Sequence, residues 1–318
     1  MLEATTGEDL ITPTIAETMN GYLSSRQSLG RSGSTCTRYT PIIAGFLASL
    51  GDKRSAATVA SLSAREIGDW RDEQVSAGKA PKTVNLQLSI VRAALTAAKR
   101  RGEILSNPAE AVEMVAGVGD ERSPFKSGEV AALLQAADSE WKTAILLGAL
   151  AGLRLADAAS VTWKQVDLDS GILSVTPEKT ERPIQLSLAS ELLAHISTLP
   201  RGIGAAPLIP SLSGRATGSN GARGGLSNEF RRLMARAGIV AALGKKKSGK
   251  GRQVSSKSFH SLRHTFVSNL VAEGVPDRVV MGMTGHSTEE AYRRYVHLGL
   301  DAQRAALSKL RQLAASSK

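Results

Sequence analysis

Cysteine occurs once in the 318 residues, at Cys36, which excludes an intrachain disulfide framework and a thiolate metal cluster. Histidine occurs five times, and no two histidines stand with carboxylates at a metal-ligand spacing. Metal-dependent hydrolysis is disfavoured on that count, and no metal or cofactor is expected. Long apolar runs are missing as well: none approaches the roughly 18–20 residues that cross a bilayer. The N-terminus, MLEATTGEDLITP, lacks the basic start and apolar centre of a secretory signal and carries Glu3, Glu8 and Asp9 instead. The expectation is a cytoplasmic protein with no membrane partner. Acidic residues, finally, are all but absent where basic ones gather: residues 211–270 hold twelve Lys and Arg and a single acid, Glu229.

What is present is the composition of a globular protein, 42% hydrophobic and 22% charged, in a chain long enough for two domains that each bury a core. The formal net charge is +11, unevenly placed. Residues 1–110 carry 13 basic and 11 acidic side chains, so most of the excess lies beyond them. A single-sign stretch such as 211–270 is open to two readings. It can be a solvated loop, or it can suit a phosphate backbone, where each neutralised phosphate releases counterions. Because this one abuts a His- and Arg-bearing segment, nucleic acid is the expected partner.

From Thr12 to about Val115 the pattern is helical throughout. TIAETMNGYLSSRQ, STCTRYTPIIAGFLASLG, AREIGDWRDEQVSAG and PKTVNLQLSIVRAALTAAKRRGEI each repeat apolar residues at spacings of three and four. Thr14, Ser34 or Ser63 can cap helix starts, Gly51 and Gly78 follow helix ends, and Pro81 suits a first turn. The expected organisation is a short tail at 1–12, a four-helix domain at 13–115, a polar linker at 116–125 and a second domain at 126–318. That second domain opens with a helix at 127–137 and a nearly all-apolar one in WKTAILLGALAGL. GILSVTP and RPIQLSL then read as a small antiparallel sheet with Lys179 near its hairpin tip. Helices resume at ASELLAHIST and LSNEFRRLMARAG, the latter flanked by two Gly-, Ser- and Lys/Arg-rich stretches. The fold class is mainly α, of α+β type.

A set of polar residues spread over the second half carries the chemistry: Arg154 in AGLRLAD, Lys179 in PEKTERP, His260 and Arg263 in FHSLRHTF, His286 in TGHS, and a tyrosine in AYRRYVH. A phosphoryl group in transfer spreads its charge over its non-bridging oxygens, and forked guanidinium and imidazole donors neutralise it without a metal. His260 and Arg263, three apart, share a helix face, with Phe259, Leu262, Phe266, Leu270 and Val271 left for burial on the other. Arg154 ends an apolar helix, where an unpaired guanidinium is costly, so it needs an anion. Asp157 can hold it in place, as a plain helix pair or as the support of a phosphate ligand. Lys179 alone reads as a solvated lysine. Tyr292 and Tyr295 are equal candidates for nucleophile, and each could instead be a packing aromatic. With an unperturbed pKa near 10, either needs cations and a base beside it.

These segments resemble the tyrosine recombinase, or phage integrase, family. AGLRLADAASVTWKQVD is similar to its first arginine box, FHSLRHTF to its His-x-x-Arg box, and TGHSTEEAYRRYVH to its Gly-His segment with the nucleophile nine residues on. The resemblance therefore selects Tyr295 over Tyr292. It implies a SAM-like core-binding domain for the N-terminal helices and a catalytic domain after the linker. It implies that Tyr295 attacks the scissile phosphate to give a 3'-phosphotyrosyl link, that Arg154, Arg263 and His286 hold the non-bridging oxygens, that Lys179 protonates the leaving 5'-oxygen, and that His260 handles the tyrosine proton. The hairpin TPEKTERP lacks the family's Lys-Thr-Gly, and another lysine could serve in place of Lys179.

The partner so implied is a double-stranded DNA recombination site, bound by a tetramer on two DNA sites, with room for an accessory directionality factor. The amphipathic segment 300–313 would pack on a neighbouring protomer or on its own domain. Residues 1–12 are too short for an arm-binding domain, which points to a simple-site, nucleoid-associated recombinase of a mobile element. The helix PKTVNLQLSIVR resembles the one that faces the duplex, making Lys82, Thr83, Asn85 and Arg92 contact candidates, together with Arg38, Arg231 and Arg232. The basic insert at 245–252 has no assigned role. Two other functions compete: a type IB topoisomerase-like relaxing enzyme, and a catalytically silent architectural DNA-binding protein.

Overall fold

The computed structural model describes residues 13–30, 33–117, 123–177, 183–215, 222–240 and 255–285. It divides into two compact units with the break near residue 120.

The first unit is helical. Its long helices are α1 (Ile15–Ser28), α2 (Gly33–Leu50), α4 (Ala64–Ser76) and α5 (Pro81–Arg100), with a short α3 (Asp52–Ser55) between the second and third. Their starts follow from local chemistry. Thr14 and Ser63 each accept from the amide three residues on, while Glu17 and Glu66 reach back to the cap amides. Pro81 occupies the first turn of α5, where its missing N–H costs nothing. α2 begins at Gly33, so Ser34 stands inside the helix rather than capping it. The apolar faces meet in a core that includes Ile15, Met19, Ile43, Phe46, Ile67, Trp70, Leu88, Val91 and Leu95. Phe46 and Trp70 pack edge to face at 5.1 Å.

The second unit sets helices around a small sheet. α6 (Ser127–Ala136) and α7 (Ser139–Leu150) lead through α8 (Leu155–Ala159) into β1 (Val166–Asp167), β2 (Ile172–Val175) and β3 (Ile184–Ser187). The sheet is antiparallel in the order β1-β2-β3, with Val175 opposite Ile184 and Ile172 opposite Ser187. The β2–β3 hairpin stands where the alternation in the sequence places it. The two-residue β1 is an addition that no periodicity could announce. α9 (Ser190–Ser197), α10 (Ala222–Arg236), α11 (Phe259–Ala272) and α12 (Asp277–Thr284) complete the described part.

Asp138 caps α7, and Trp141 together with residues 143–149 is buried, so this helix is the spine of the unit. α11 lies against it at Gly148, where an added Cβ would stand 3.0–3.1 Å from Leu262 and Phe259. That close approach sets the spacing of α11, which carries Arg263, and α7, whose end leads into Arg154. α10 contributes Leu226, Phe230, Leu233 and Met234 to the same core, at the spacing of one helix face. Phe230 packs among Phe125, Trp141 and Phe259 with centroids 5.2–6.4 Å away. Among the described residues no helix is long and apolar enough to cross a membrane.

Candidate active site

α7 ends in a turn that only glycine accommodates. Gly152 has φ +64°, the left-handed region, and a Cβ there would lie 2.5 Å from Cδ1 of Phe266 on α11. The amides of Ala151 and Leu153 both bond the Leu147 carbonyl, which closes the turn. Arg154 follows as the cap of α8, its carbonyl accepting from the Ala158 amide at 2.8 Å.

The Arg154 side chain is mostly enclosed, 22% exposed, beside an Asp157 that is 8% exposed. Their closest approach, Nη1 to Oδ2, is 3.7 Å: an ion pair in reach, but too long for a good hydrogen bond. Arg154 Nη1 is buried and has no hydrogen-bond partner among the described residues. Asp157 thus neutralises and orients the guanidinium while one of its donor nitrogens stays unspent. This is the arrangement an anion-binding arginine needs.

Arg263, on the second turn of α11, is 2% exposed. Its Nη1 donates to the Gly152 carbonyl at 2.8 Å and its Nη2 donates to the Thr284 carbonyl. Hydrogen bonds from a charged donor contribute about 1.5–3 kcal/mol each and offset the cost of burying the guanidinium. Thr284 closes α12, its own hydroxyl donating to Val280, and Gly285 turns the chain with φ +65° immediately before His286. One side chain therefore fastens the turn leading into Arg154 and the turn leading towards His286.

His260 lies one turn before His264, their rings edge to face at 5.2 Å. The expectation of one polar and one buried face on α11 holds only in part. Every residue from Ser261 to Val267 is buried, Arg263 and His264 included, whereas Leu270 and Val271 are only half-buried. Polar residues are enclosed here because they bond one another's surroundings: the Thr265 hydroxyl donates to Ser261 and accepts from the Phe125 amide. Just before the helix, Lys257 is bonded to Glu129 of α6 and lies 5.4 Å from the Phe125 ring centre. Burial alone would raise the Glu129 carboxyl, but Lys257 and the Lys126 amide bring it below its ordinary value. Lys257, Glu129, Gly152 and Thr284 went unmarked in the sequence, and Phe266 was expected only as a buried apolar partner. The one signal that pointed to any of them was a glycine directly after an apolar helix.

The remaining expected site residues divide into two groups. Lys179, His286, Tyr292 and Tyr295 lie outside the described residues, as do the basic insert at 245–252 and the segment 300–313. Among the DNA-contact candidates, Arg38, Lys82, Thr83, Arg231 and Arg232 are exposed, and Arg231 bonds Asn228. Asn85 and Arg92 are half-buried and hydrogen-bonded within their own unit. Asn85 exchanges two hydrogen bonds with the Val115 backbone, and Arg92 donates to the carbonyls of Ala109 and Val112. Among the described residues no cluster of His, Cys, Asp and Glu could hold a metal ion.

Residues 125–300 match the model of the phage integrase family. The chain is 25% identical over 286 residues to the tyrosine recombinase XerC of Rhodospirillum centenum, covering 84% of this chain and 78% of that protein. It is 26% identical over 212 residues to the integrase of Salmonella phage P22, covering 66% and 52% of the two. In fold it is similar to lambda integrase, seen as a tetramer bound to a Holliday junction, with a TM-score of 0.67, 20% identity and 92% of this chain covered against 83% of that one.

Proposed function

Because the chain belongs to the phage integrase family, whose model spans more than half of it, we propose that it is a site-specific recombinase whose nucleophile is Tyr295 and whose phosphate clamp is Arg154 and Arg263. The observation that carries this reading is the meeting of the two arginine segments, distant in sequence, at the Gly152 carbonyl.

The chemistry follows from the charges. The Tyr295 oxygen attacks the scissile phosphorus and gives up its proton to His260. A tyrosyl–phosphorus bond forms as the bond from phosphorus to the 5'-oxygen breaks, and Lys179 protonates that leaving oxygen. Arg154, Arg263 and His286 neutralise the charge that builds on the non-bridging oxygens, where fixed donors in an enclosed site act most strongly. Since the phosphotyrosine keeps the bond energy, a 5'-hydroxyl from another strand reverses the step and completes the exchange.

The same reading places a core-binding domain at 13–115 and the catalytic domain at 126–318, and is supported by the division of the chain near residue 120. The phage integrase relative and the tetrameric lambda enzyme support a tetramer on two DNA sites that moves a mobile element. Arg38, Lys82, Thr83, Arg231 and Arg232 are exposed cations and donors fit to meet the duplex.

The test is covalent trapping on a nicked suicide duplex taken from the flanks of the gene. A detergent-resistant DNA adduct is expected with the unmodified chain and with Tyr292→Phe, and none with Tyr295→Phe. Tight binding of a cognate duplex with no adduct would leave an architectural DNA-binding protein as the better description.

A further inference from the structure

Two stretches of the second unit, 123–129 and 255–265, are fastened to each other beside the first turns of α11. The Ser123 amide donates to the Ser256 carbonyl at 2.9 Å, and the Phe125 amide donates to the Thr265 hydroxyl at 2.8 Å. Between those points Lys257 donates to Glu129 and lies 5.4 Å from the Phe125 ring centre, where a cation is favoured. The fastenings fall on both sides of His260 and Arg263 in sequence, with Ser256 and Lys257 before them and Thr265 after.

Glu129 is a fixed anchor. One of its oxygens takes the Lys257 ammonium, and the other accepts from the Lys126 amide at 2.8 Å. It stands in the first turn of α6, where a helix favours negative charge. The Lys257 side chain is 14% exposed and that of Glu129 25%. An ion pair so enclosed adds little net stability, because desolvation offsets the attraction and packed apolar side chains do as well in its place. What it fixes is direction.

Direction matters at this turn. Phe259 and Leu262 press α11 against α7 at Gly148, but apolar contact is non-directional and tolerates a small rotation of the helix about its axis. His260 lies in the first turn, half-buried, with its ring against that of His264. A general base must come within about 2.6–3.2 Å of the group whose proton it takes. Misplacing a reacting group by about 1 Å can cost about 100-fold in rate. The tether from Lys257 to Glu129 acts on the residue three positions before His260, and so on the angle from which the imidazole reaches.

We infer that Lys257 and Glu129 are positioning residues, a pair that holds the first turn of α11 at the angle from which His260 reaches the tyrosine nucleophile. The inference rests on the reading of the chain as a tyrosine recombinase in which His260 takes the tyrosine proton, and it asks neither residue of the pair to touch DNA.

The experiment follows single-turnover cleavage of a nicked suicide duplex at saturating DNA, from mildly acid to mildly alkaline pH, below the melting temperature of every variant. Duplex affinity is read by anisotropy and melting by calorimetry on the same proteins. The main variant is Lys257→Met/Glu129→Gln, which removes both charges together and keeps an acceptor for the Lys126 amide. In the unmodified chain the rate should rise through the ordinary imidazole range, about 6.5, and then level. In the neutral pair the affinity should hold and the rate at neutral pH should fall about tenfold or more. That rate should also keep climbing with pH, because the tyrosine then loses its proton to solvent. Lys257→Arg keeps a charged donor for Glu129 and should recover the levelling profile and most of the rate. Glu129→Asp, whose shorter reach pulls on the same turn, should show the change in milder form and decides the matter if the neutral pair misfolds; an unchanged profile there overturns the inference. So does a neutral pair that melts earlier yet cleaves with unchanged rate and profile, since the fastening would then serve stability alone. A rate lowered equally at every pH overturns it too, because His260 would still be in place. His260→Ala should itself abolish the levelling. A levelling that survives His260→Ala removes that residue as the base and the inference with it, and leaves the recombinase reading standing. No covalent adduct from the unmodified chain sinks that reading and the inference together.

Discussion

Arg263 Nη1 lies 2.8 Å from the carbonyl oxygen of Gly152, a bond across 111 positions of sequence that ties α11 to the turn before Arg154. The carbonyl points there because Gly152 adopts φ +64° beneath the Phe266 ring. Arg154 is thus aimed through a glycine, a ring and a second arginine.

Gly152→Ala tests that linkage. The left-handed backbone costs an alanine about 1–2 kcal/mol, and the new methyl must displace a buried ring, for a total of roughly 2–4 kcal/mol. The protein should melt earlier yet remain folded at low temperature, and its single-turnover cleavage at saturating DNA should fall at least about tenfold. A scissile methylphosphonate, which lacks one charged oxygen, should recover part of that rate, because it asks less of a displaced Arg154. If Gly152→Ala melts early but cleaves normally at low temperature, the turn matters for stability alone. Gly152→Ala/Phe266→Leu, with the ring removed, keeps the test open should the single variant misfold.

Arg154 itself should separate chemistry from binding. Arg154→Gln removes one donor set among many phosphate contacts, so duplex affinity should change by no more than a few fold. The cleavage step should slow by about 100- to 1000-fold, the usual effect of losing a donor aimed at developing charge. Arg154→Lys keeps the charge and loses the fork, and should fall between the two. Rapid-quench assays read the rate and anisotropy reads the affinity. A large affinity loss with an unchanged rate would make Arg154 a docking residue.

The helices of the first unit were legible because their signals are local: Thr14, Ser63 and Pro81 mark starts that the chain obeys, although Ser34 stands inside its helix. The β2–β3 hairpin was legible from alternation over four residues. A two-residue strand such as β1 carries no period. Enclosure of Arg263 and His264 was hidden for a different reason. Period three or four tells which residues share a face, not whether a second element covers the polar one. Arg154 and Arg263 could be grouped from their donor chemistry and from their resemblance to family motifs, but their meeting at Gly152 could not be foreseen, since contacts between distant segments leave no mark in local pattern. Asn85 and Arg92 were expected at the duplex from the resemblance of their helix, and the chain's own backbone at 109–115 also returns to meet them, a tertiary contact that no local pattern announces.

Asn85 accordingly belongs to stability. It both donates to and accepts from Val115, so Asn85→Ala removes two bonds and leaves a backbone pair unsatisfied, a loss of about 1–3 kcal/mol. The melting temperature of the first unit should drop by several degrees while duplex affinity holds. A weaker duplex complex with unchanged melting would return Asn85 to the DNA-contact group.

The pair Arg54 and Glu66 predicts how the first unit responds to acid. Arg54 bonds Glu66 through two nitrogens, and Glu66 also caps α4 at Ser63. The Arg54 bond, followed by the Ser63 amide and hydroxyl, outweighs burial and holds the Glu66 carboxyl down at about 2 against an ordinary 4.5. The folded state therefore binds this proton less readily than the unfolded chain does. Its stabilisation is complete above the unfolded value and is lost as pH falls from about 4.5 towards 2. Both side chains are nearly a third exposed, so screening leaves roughly 1–2 kcal/mol of it in solution. Hydrogen exchange of the α4 amides should show the unmodified chain more protected than Glu66→Gln near neutrality, with the difference closing through that acid window. A difference that stays constant from neutrality to pH 2 would mean that the carboxylate's charge contributes nothing and that packing alone separates the two proteins.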